Sequence, residues 1–247
     1  MPAAAAERAL ARLTIGHYML RRWSLEEDVR HLERLGFRSI SLASTKFDAY
    51  GPARAIRLLR ASSLRVAHLH QLGGEALFVL SGGREGTSWE RAAGVYRDAY
   101  AALLPEATAA GIRLAIEVIH PLRQDISFIN MLVDAREIAR AAGRRGGYVL
   151  DFFHSGWEPR LLDTIRRDAR RRIHAVQMCD YKRVTMRTMD RALLGKGILP
   201  LPAIFRALEQ GGYRGWYEAE IISDDLEAMG YERALRQTRT AFVRLLG

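Results

Sequence analysis

The sequence of 247 residues has a single cysteine, Cys179, so no disulfide can form within the chain. A lone cysteine is typical of proteins kept in a reducing compartment. No apolar run approaches the length of a membrane span. The Ala-rich start, "MPAAAAERAL", lacks the basic segment and the longer apolar stretch of a secretory signal. These absences predict a soluble, cytoplasmic protein without a membrane partner.

Lysine is also scarce, because Lys46, Lys182 and Lys196 are the only lysines among 38 lysines and arginines. The formal net charge is nevertheless +10, which raises nucleic acid as a possible partner. The arginines are scattered along helix-like segments such as "DTIRRDARRR", often beside acids. Dispersed charge of this kind is typical of a solvated surface. The pattern therefore argues against nucleic acid.

Short apolar runs with β-rich composition alternate with longer segments that carry apolar residues at helical spacing. The eight runs are 12–18, 39–44, 65–70, 76–82, 113–120, 148–154, 173–180 and 216–221. The connection between the third and fourth runs is short enough to hold only a turn. Near-continuous apolar strands alternating with helices indicate a parallel sheet covered on its faces.

Eight such units predict a closed (β/α)8 TIM barrel. We expect one domain over residues 1–247, with residues 1–10 as an N-terminal extension. No G-x-G-x-x-G fingerprint follows the first run, which argues against a dinucleotide-binding open sheet.

Polar residues are concentrated at the carboxyl ends of the runs, where the chemistry of such barrels occurs. They are His17, Lys46, His68, His70, Glu117, His120, Asp151, His154, Gln177, Asp180, Lys182, Glu218 and Glu220. Barrel interiors are normally filled by branched apolar side chains, so a functional site explains the whole set best. Inward carboxylates from three strands at similar depth repel one another unless a cation pairs with them. We expect a divalent metal ion there, and separate salt bridges to arginines are the alternative.

Three segments resemble the motifs of the xylose-isomerase-like barrels, a superfamily of sugar-phosphate isomerases and keto-sugar epimerases. They are "LAIEVIHP", "LDFFHSGWEP" and "GKGILPLPAIFRALEQGGYRGWYEAEI". The resemblance covers nearly the whole chain, and the last segment is the most specific because several spacings agree at once. It implies metal ligands at Glu117, Asp151, Gln177 and Glu220, and a substrate-contacting histidine at His154.

One implied ligand departs from the family pattern, which has a histidine three residues before the aspartate of strand seven. Here "QMCD" places Gln177 at that position. The implied ligands are then all oxygen donors, which suit hard ions. We therefore expect one Mn²⁺ or Mg²⁺ rather than Zn²⁺.

The resemblance also implies that Glu117 and Glu220 serve as acid and base on opposite faces of a hydroxy-ketone. The product can be an epimer, an aldose–ketose isomer or a dehydrated compound, since all three share an enediolate or enolate intermediate. We expect a metal-dependent isomerase or epimerase of a sugar, sugar phosphate or related polyol ketone.

The runner-up is a lyase of the same superfamily that dehydrates a cyclic hydroxy-keto acid. The apurinic-endonuclease branch fits less well, because it needs several metal ions and more histidine ligands. Outside enzymes, the alternative is a non-catalytic binding barrel with a degenerate metal site.

The strand ends and the loops around the site supply further candidate substrate-binding residues. They are His70, His120, Lys46, Lys182, Arg191, Lys196 and Trp157. The cations are expected to ring the mouth, and the amides of Gly195 and Gly197 to approach an anion, which favours an anionic or phosphorylated polyol. A plain turn at "GKG" is an equal alternative, as is core packing for Trp157. A homo-oligomer is compatible with the sequence.

Overall fold

The computed structural model describes residues 3–69, 75–185, 187 and 189–246. It confirms the predicted (β/α)8 barrel, because eight parallel strands close on themselves. The barrel strands are β1 (Leu13–Gly16), β2 (Ser39–Leu42), β3 (Arg65–Leu69), β4 (Ala76–Val79), β5 (Arg113–Glu117), β6 (Gly147–Asp151), β7 (Ile173–Met178) and β10 (Tyr217–Ala219). Between the last two, β8 (Asp180–Tyr181) and β9 (Arg191–Ala192) form an antiparallel hairpin. Each of the eight predicted runs overlaps one barrel strand, and β6 begins one residue before its run.

Helices cover the outside of the barrel. They are α1 (Ala3–Leu10), α2 (Leu25–Arg34), α3 (Ser44–Tyr50), α4 (Pro52–Ala61), α5 (Trp89–Ala109), α6 (Leu132–Ala141), α7 (Phe152–Ser155), α8 (Leu161–Asp168), α9 (Leu201–Gln210), α10 (Asp224–Met229) and α11 (Tyr231–Leu246). Ser24 and Glu27 form a capping box at the start of α2, which satisfies backbone groups that a helix end leaves open. Part of the predicted N-terminal extension is helix α1, which packs against α11.

The barrel interior changes from apolar to polar along the strands. Ala115, Val149 and Ala175, from β5, β6 and β7, belong to a small buried cluster with residues of β4. Two residues further along the same strands lie Glu117, Asp151 and Gln177. Because side chains two apart on a strand share a face, these three continue the inward rows of small residues. The fold therefore places them together at the carboxyl end of the barrel.

None of the helices in the described part of the chain combines the length and the apolar character needed to cross a bilayer.

Candidate active site

Three buried carboxylates meet at the carboxyl end of the barrel. Glu117 ends β5, Asp151 ends β6, and Glu220 follows β10, where its N–H donates to the carbonyl of Met178. The side chains of Glu117, Asp151 and His154 each bring one potential ligand atom to within 4.8 Å of the other two. The strand ends thus bring together residues that are far apart in sequence.

Asp151 is held by the helix that follows it. Its Oδ1 accepts hydrogen bonds from the N–H groups of Phe153, at 2.6 Å, and His154, at 3.3 Å. Asp151 is therefore the N-cap of α7, which explains why the aspartate and the histidine are three residues apart. The cap fixes Oδ1 and leaves Oδ2 facing the site.

A buried arginine also lies in this cluster. Arg191 is 2% exposed, and its Nη2 lies 3.2 Å from Oδ2 of Asp151. Its Nη1 pairs with the Glu220 carboxylate and donates to the Glu220 carbonyl at 2.8 Å. The structure thus places Arg191 inside the site, deeper than the mouth position that the sequence predicts. The reason is the β8–β9 hairpin, which is attached to the barrel by the hydrogen bond from Arg191 N to Ile222 O.

Arg191 leaves one carboxylate of the cluster uncompensated. Glu117 makes no salt bridge with any residue in the described ranges. Burial and the negative charges of Glu220 and Asp151 raise the pKa of Glu117 well above its usual value. The predicted salt bridges to arginine are therefore present for two carboxylates, and the third still requires a cation or a proton.

Gln177 supports the binding of a cation at this point. Its side chain is fully buried, and neither amide atom makes a hydrogen bond to the described protein. Asp151 lies directly beside it in the sheet register, and its Oδ2 is already ion-paired with Arg191 at 3.2 Å. Burying unbonded polar atoms costs about 1–3 kcal/mol each, which a ligand at the site would recover. The donor set of Glu117, Asp151 and Gln177 therefore fits a hard divalent metal ion.

His154 is better placed to donate a hydrogen bond than to bind a metal. Its Nδ1 accepts from the His120 N–H at 3.0 Å, and burial lowers the pKa of His154 to about 4. The neutral ring then carries its proton on Nε2, which lies 3.7 Å from Oδ2 of Asp151. That N–H suits a substrate oxygen, the role that the resemblance implies.

Glu218 and His68 form a separate pair in the barrel. Oε2 of Glu218 lies 2.8 Å from Nδ1 of His68, and Ser41 Oγ is 3.1 Å from the same nitrogen. Glu220, the glutamate that the resemblance implies as a ligand, is the one that pairs with Arg191.

The predicted substrate-binding residues differ in their surroundings. His120 and Trp157 lie next to His154. The rings of His120 and Trp157 are 6.1 Å apart, and the indole N–H of Trp157 donates a hydrogen bond to the His154 carbonyl at 2.7 Å. Lys46 is paired with Asp28 at 2.5 Å, and Lys182 is paired with Asp190 and Asp225. Lys196 is exposed, and His70 lies outside the described residues.

The "GKG" segment is a plain turn, which is one of the two alternatives that the sequence leaves open. The amides of Gly195 and Gly197 both donate to Oδ2 of Asp180, at 3.1 and 3.0 Å, so they are already bonded. A Cβ on Gly197 would lie 1.9 Å from the carbonyl oxygen of Tyr181. Close packing therefore explains this glycine, and the segment is a structural turn.

Sequence reasoning missed Tyr18, which follows β1 at the mouth of the site. Burial and the negative charges of Glu220 and Glu117 raise the pKa of its hydroxyl group. Tyr18 directly follows His17, where the first run reaches the carboxyl end of the barrel, and this position was the available signal. Met178 and Cys179 are fully buried and belong to the hydrophobic core.

Comparison with known proteins identifies the family. Residues 12–241 match the pattern described as "Xylose isomerase-like TIM barrel". The chain belongs to the xylose isomerase-like TIM barrel family. No curated protein matches the chain.

Solved structures have the same fold. Protein SMc04130 from Sinorhizobium meliloti 1021 is similar with a TM-score of 0.86 and 26% identity, covering 95% of this chain and 98% of that chain. The IolI protein with a bound zinc atom has a TM-score of 0.81 and 17% identity, with coverages of 95% and 98%. L-ribulose 3-epimerase has a TM-score of 0.72 and 19% identity, with coverages of 95% and 94%. At these last two identities the likeness shows the fold alone.

Proposed function

We propose that the protein is a divalent-metal-dependent isomerase or epimerase that moves a proton next to the carbonyl of a polyol ketone. The observation that carries the proposal is the convergence of Glu117 and Asp151 beside Gln177, whose buried amide has no hydrogen bond in the described structure. The chain belongs to the xylose isomerase-like family, and the solved structures with the same fold include two epimerases. Both facts support the same reaction class.

Glu117, Asp151, Gln177 and Glu220 would hold the ion, and Mn²⁺ or Mg²⁺ suits their oxygen donors. When bound, such an ion polarises a carbonyl oxygen and so acidifies the neighbouring C–H. Arg191 already neutralises part of the charge of Asp151 and Glu220. We therefore propose that Arg191 and the ion compete for these two carboxylates, which lowers the affinity for metal.

Proton transfer falls to the two glutamates. Glu117 is buried without a salt bridge to any described residue, so it takes up a proton more readily than an exposed glutamate does. Glu220 lies across the site and would act on the opposite face of the substrate. Nε2–H of His154 would hold a substrate oxygen and so orient the carbon that loses its proton.

The mouth favours an uncharged polyol over a phosphorylated one. Lys46 and Lys182 are neutralised by acids, and the amides of "GKG" are bonded to Asp180. A phosphate needs free cations or free N–H groups, and these features of the described residues supply few.

A non-catalytic binding barrel is the second candidate, and Arg191 is the observation that favours it. A buried guanidinium that pairs with two of the carboxylates allows the site to be stable without a metal ion. This candidate predicts ligand binding without proton exchange.

Solvent exchange tests the proposed reaction without knowledge of the product. In D₂O with Mn²⁺, the protein should incorporate deuterium next to the carbonyl of one member of a panel of ketoses, ketose phosphates and cyclic keto-acids. NMR detects this exchange and also any net conversion to an epimer, an isomer or a dehydrated product. Neither exchange nor conversion with any member of the panel would favour the binding barrel.

Asp151→Asn is expected to reduce that exchange at least about 100-fold, since a ligand charge is lost while the oxygen that caps α7 remains. The matched control is Asp163→Asn on α8, whose carboxylate is exposed and paired with Arg166. Equal rates for wild type and Asp151→Asn would contradict a role for Asp151 in the reaction.

Gln177→His is expected to shift metal preference from Mn²⁺ towards Zn²⁺ or Co²⁺, because imidazole nitrogen replaces an amide oxygen. Competition titrations with the two classes of ion measure the ratio of dissociation constants. An unchanged ratio would show that Gln177 does not contact the metal.

A further inference from the structure

The opposite end of the barrel carries a concentration of arginines that the proposed reaction does not use. Seven of the eight barrel strands have an arginine at their first position or within three residues before it. Because parallel strands begin at one edge, these side chains emerge at the same end of the barrel. The scattered arginines of the sequence thus become a cluster in the fold.

Part of this cluster surrounds a cavity of about 660 Å³. Five guanidinium side chains line it: Arg12, Arg65, Arg113, Arg170 and Arg214. Among the described residues, Glu75 is the one acid in this lining, and it lies 2.9 Å from Arg65 and 3.9 Å from Arg113. Glu209 lies outside the lining and pairs with Arg12 at 2.9 Å and with Arg214 at 3.7 Å. Five arginines against two carboxylates leave a net positive charge. Arg170 is exposed and makes no ion pair with a carboxylate of the described residues.

Aromatic rings and backbone carbonyls hold two of these arginines in place. The guanidinium carbon of Arg12 lies 4.9 Å from the centre of the Tyr217 ring, and that of Arg65 lies 5.2 Å from the Trp216 ring. Nη2 of Arg12 also donates to the Tyr213 carbonyl at 2.9 Å. An arginine held in this way loses less conformational entropy when it binds an anion than a free surface arginine does.

The "GGYRG" segment shapes the wall of the cavity. Gly212 has a φ of +83°, in the left-handed region that favours glycine, and it lies against the side chain of Arg170. A Cβ on Gly215 would lie 2.6 Å from the Tyr213 hydroxyl. These glycines therefore let the turn pack tightly beside the arginines.

We propose that this cavity, which we call the basal arginine cavity, binds a small anion with two or more phosphate groups. One guanidinium group can donate two hydrogen bonds to the oxygens of one phosphate. Several guanidinium groups around one concave space can therefore bind several linked phosphates. The recessed shape and the Glu75 carboxylate in the wall favour a small anion over the continuous backbone of a nucleic acid, which needs an extended basic surface. This proposal does not depend on the reaction proposed for the other end of the barrel.

Titration calorimetry with inorganic tripolyphosphate tests the proposal on the full chain. We expect one tripolyphosphate per chain, and at least tenfold weaker binding in Arg113→Gln and in Arg170→Gln. The matched control is Arg57→Gln, which removes the same charge from an exposed position on α4. The Asp151→Asn variant should bind tripolyphosphate as the wild type does, because its substitution lies at the other end of the barrel.

Three outcomes would overturn the proposal. One is no binding of tripolyphosphate by the wild type. Another is an equal loss in Arg57→Gln, which would show that overall charge, not the cavity, attracts the anion. The third is tighter binding of a duplex DNA or RNA oligonucleotide than of tripolyphosphate, with the same dependence on Arg113 and Arg170, which would assign the surface to nucleic acid. Circular dichroism of each variant checks that the barrel is folded.

Discussion

Replacing Arg191 with methionine is expected to destabilise the metal-free protein strongly and to strengthen its binding of Mn²⁺. Removing one member of a buried ion pair costs about 3–5 kcal/mol, because the remaining charge stays buried without a partner. For a chain of this size that corresponds to a fall of about 10 °C in the thermal midpoint. Arg191 pairs with both Asp151 and Glu220, so the variant leaves two carboxylates without their arginine.

The same variant frees these carboxylates for a metal ion. Mn²⁺ should therefore raise the thermal midpoint of Arg191→Met far more than that of the wild type, and the dissociation constant should fall by about tenfold or more, as expected when a competing cation is removed. Arg187→Met is the matched control, since Arg187 forms an exposed pair with Asp224. If Mn²⁺ stabilises both variants equally, Arg191 does not compete with metal.

Glu117→Gln is expected to abolish proton exchange and yet to stabilise the metal-free protein. The wild-type carboxylate is buried near Glu220 and Asp151, and its pKa is raised. A raised pKa means that the folded protein holds this proton more tightly than the unfolded chain does, so stability falls as pH rises from about 4.3 through the raised value. A neutral glutamine removes that cost at neutral pH while leaving no acid or base.

Thermal unfolding from pH 4 to pH 8, without metal, measures this difference. The midpoint of Glu117→Gln should exceed that of the wild type by a margin that increases with pH. Glu137→Gln, an exposed position on α6, provides the control for loss of one negative charge. A variant that is less stable than the wild type at pH 8 would show that the Glu117 carboxylate is favourably paired in the folded protein.

The sequence predicts the barrel well because the signal repeats. Each β-rich run is bounded by polar residues. One unclear run therefore does not alter the predicted fold, because the other units all indicate the same barrel. The convergence of Glu117 and Asp151 could also be predicted, since both end a strand and parallel strands end at one edge. Gln177 follows from its alternation with Ala175 on β7.

The position of Arg191 could not be predicted in the same way. It depends on the β8–β9 hairpin, in which each strand has two residues and no periodicity that a sequence pattern could reveal. The partners of Lys46 and Lys182 are likewise set by the tertiary fold. Asp28 lies on α2, Asp190 immediately precedes β9, and Asp225 lies in the first turn of α10. The basal arginine cavity was hidden for a related reason, because its arginines are adjacent only once the barrel closes.

A calorimetric titration of metal-stripped protein with Mn²⁺ tests the central claim, that this site binds one metal ion, most directly. The account predicts one ion per chain for the wild type, weakened on the order of 100-fold in Asp151→Asn and unchanged in Asp163→Asn. No binding by the wild type or by Arg191→Met would contradict the account, and it would show that the arginine alone serves as the cation of this site.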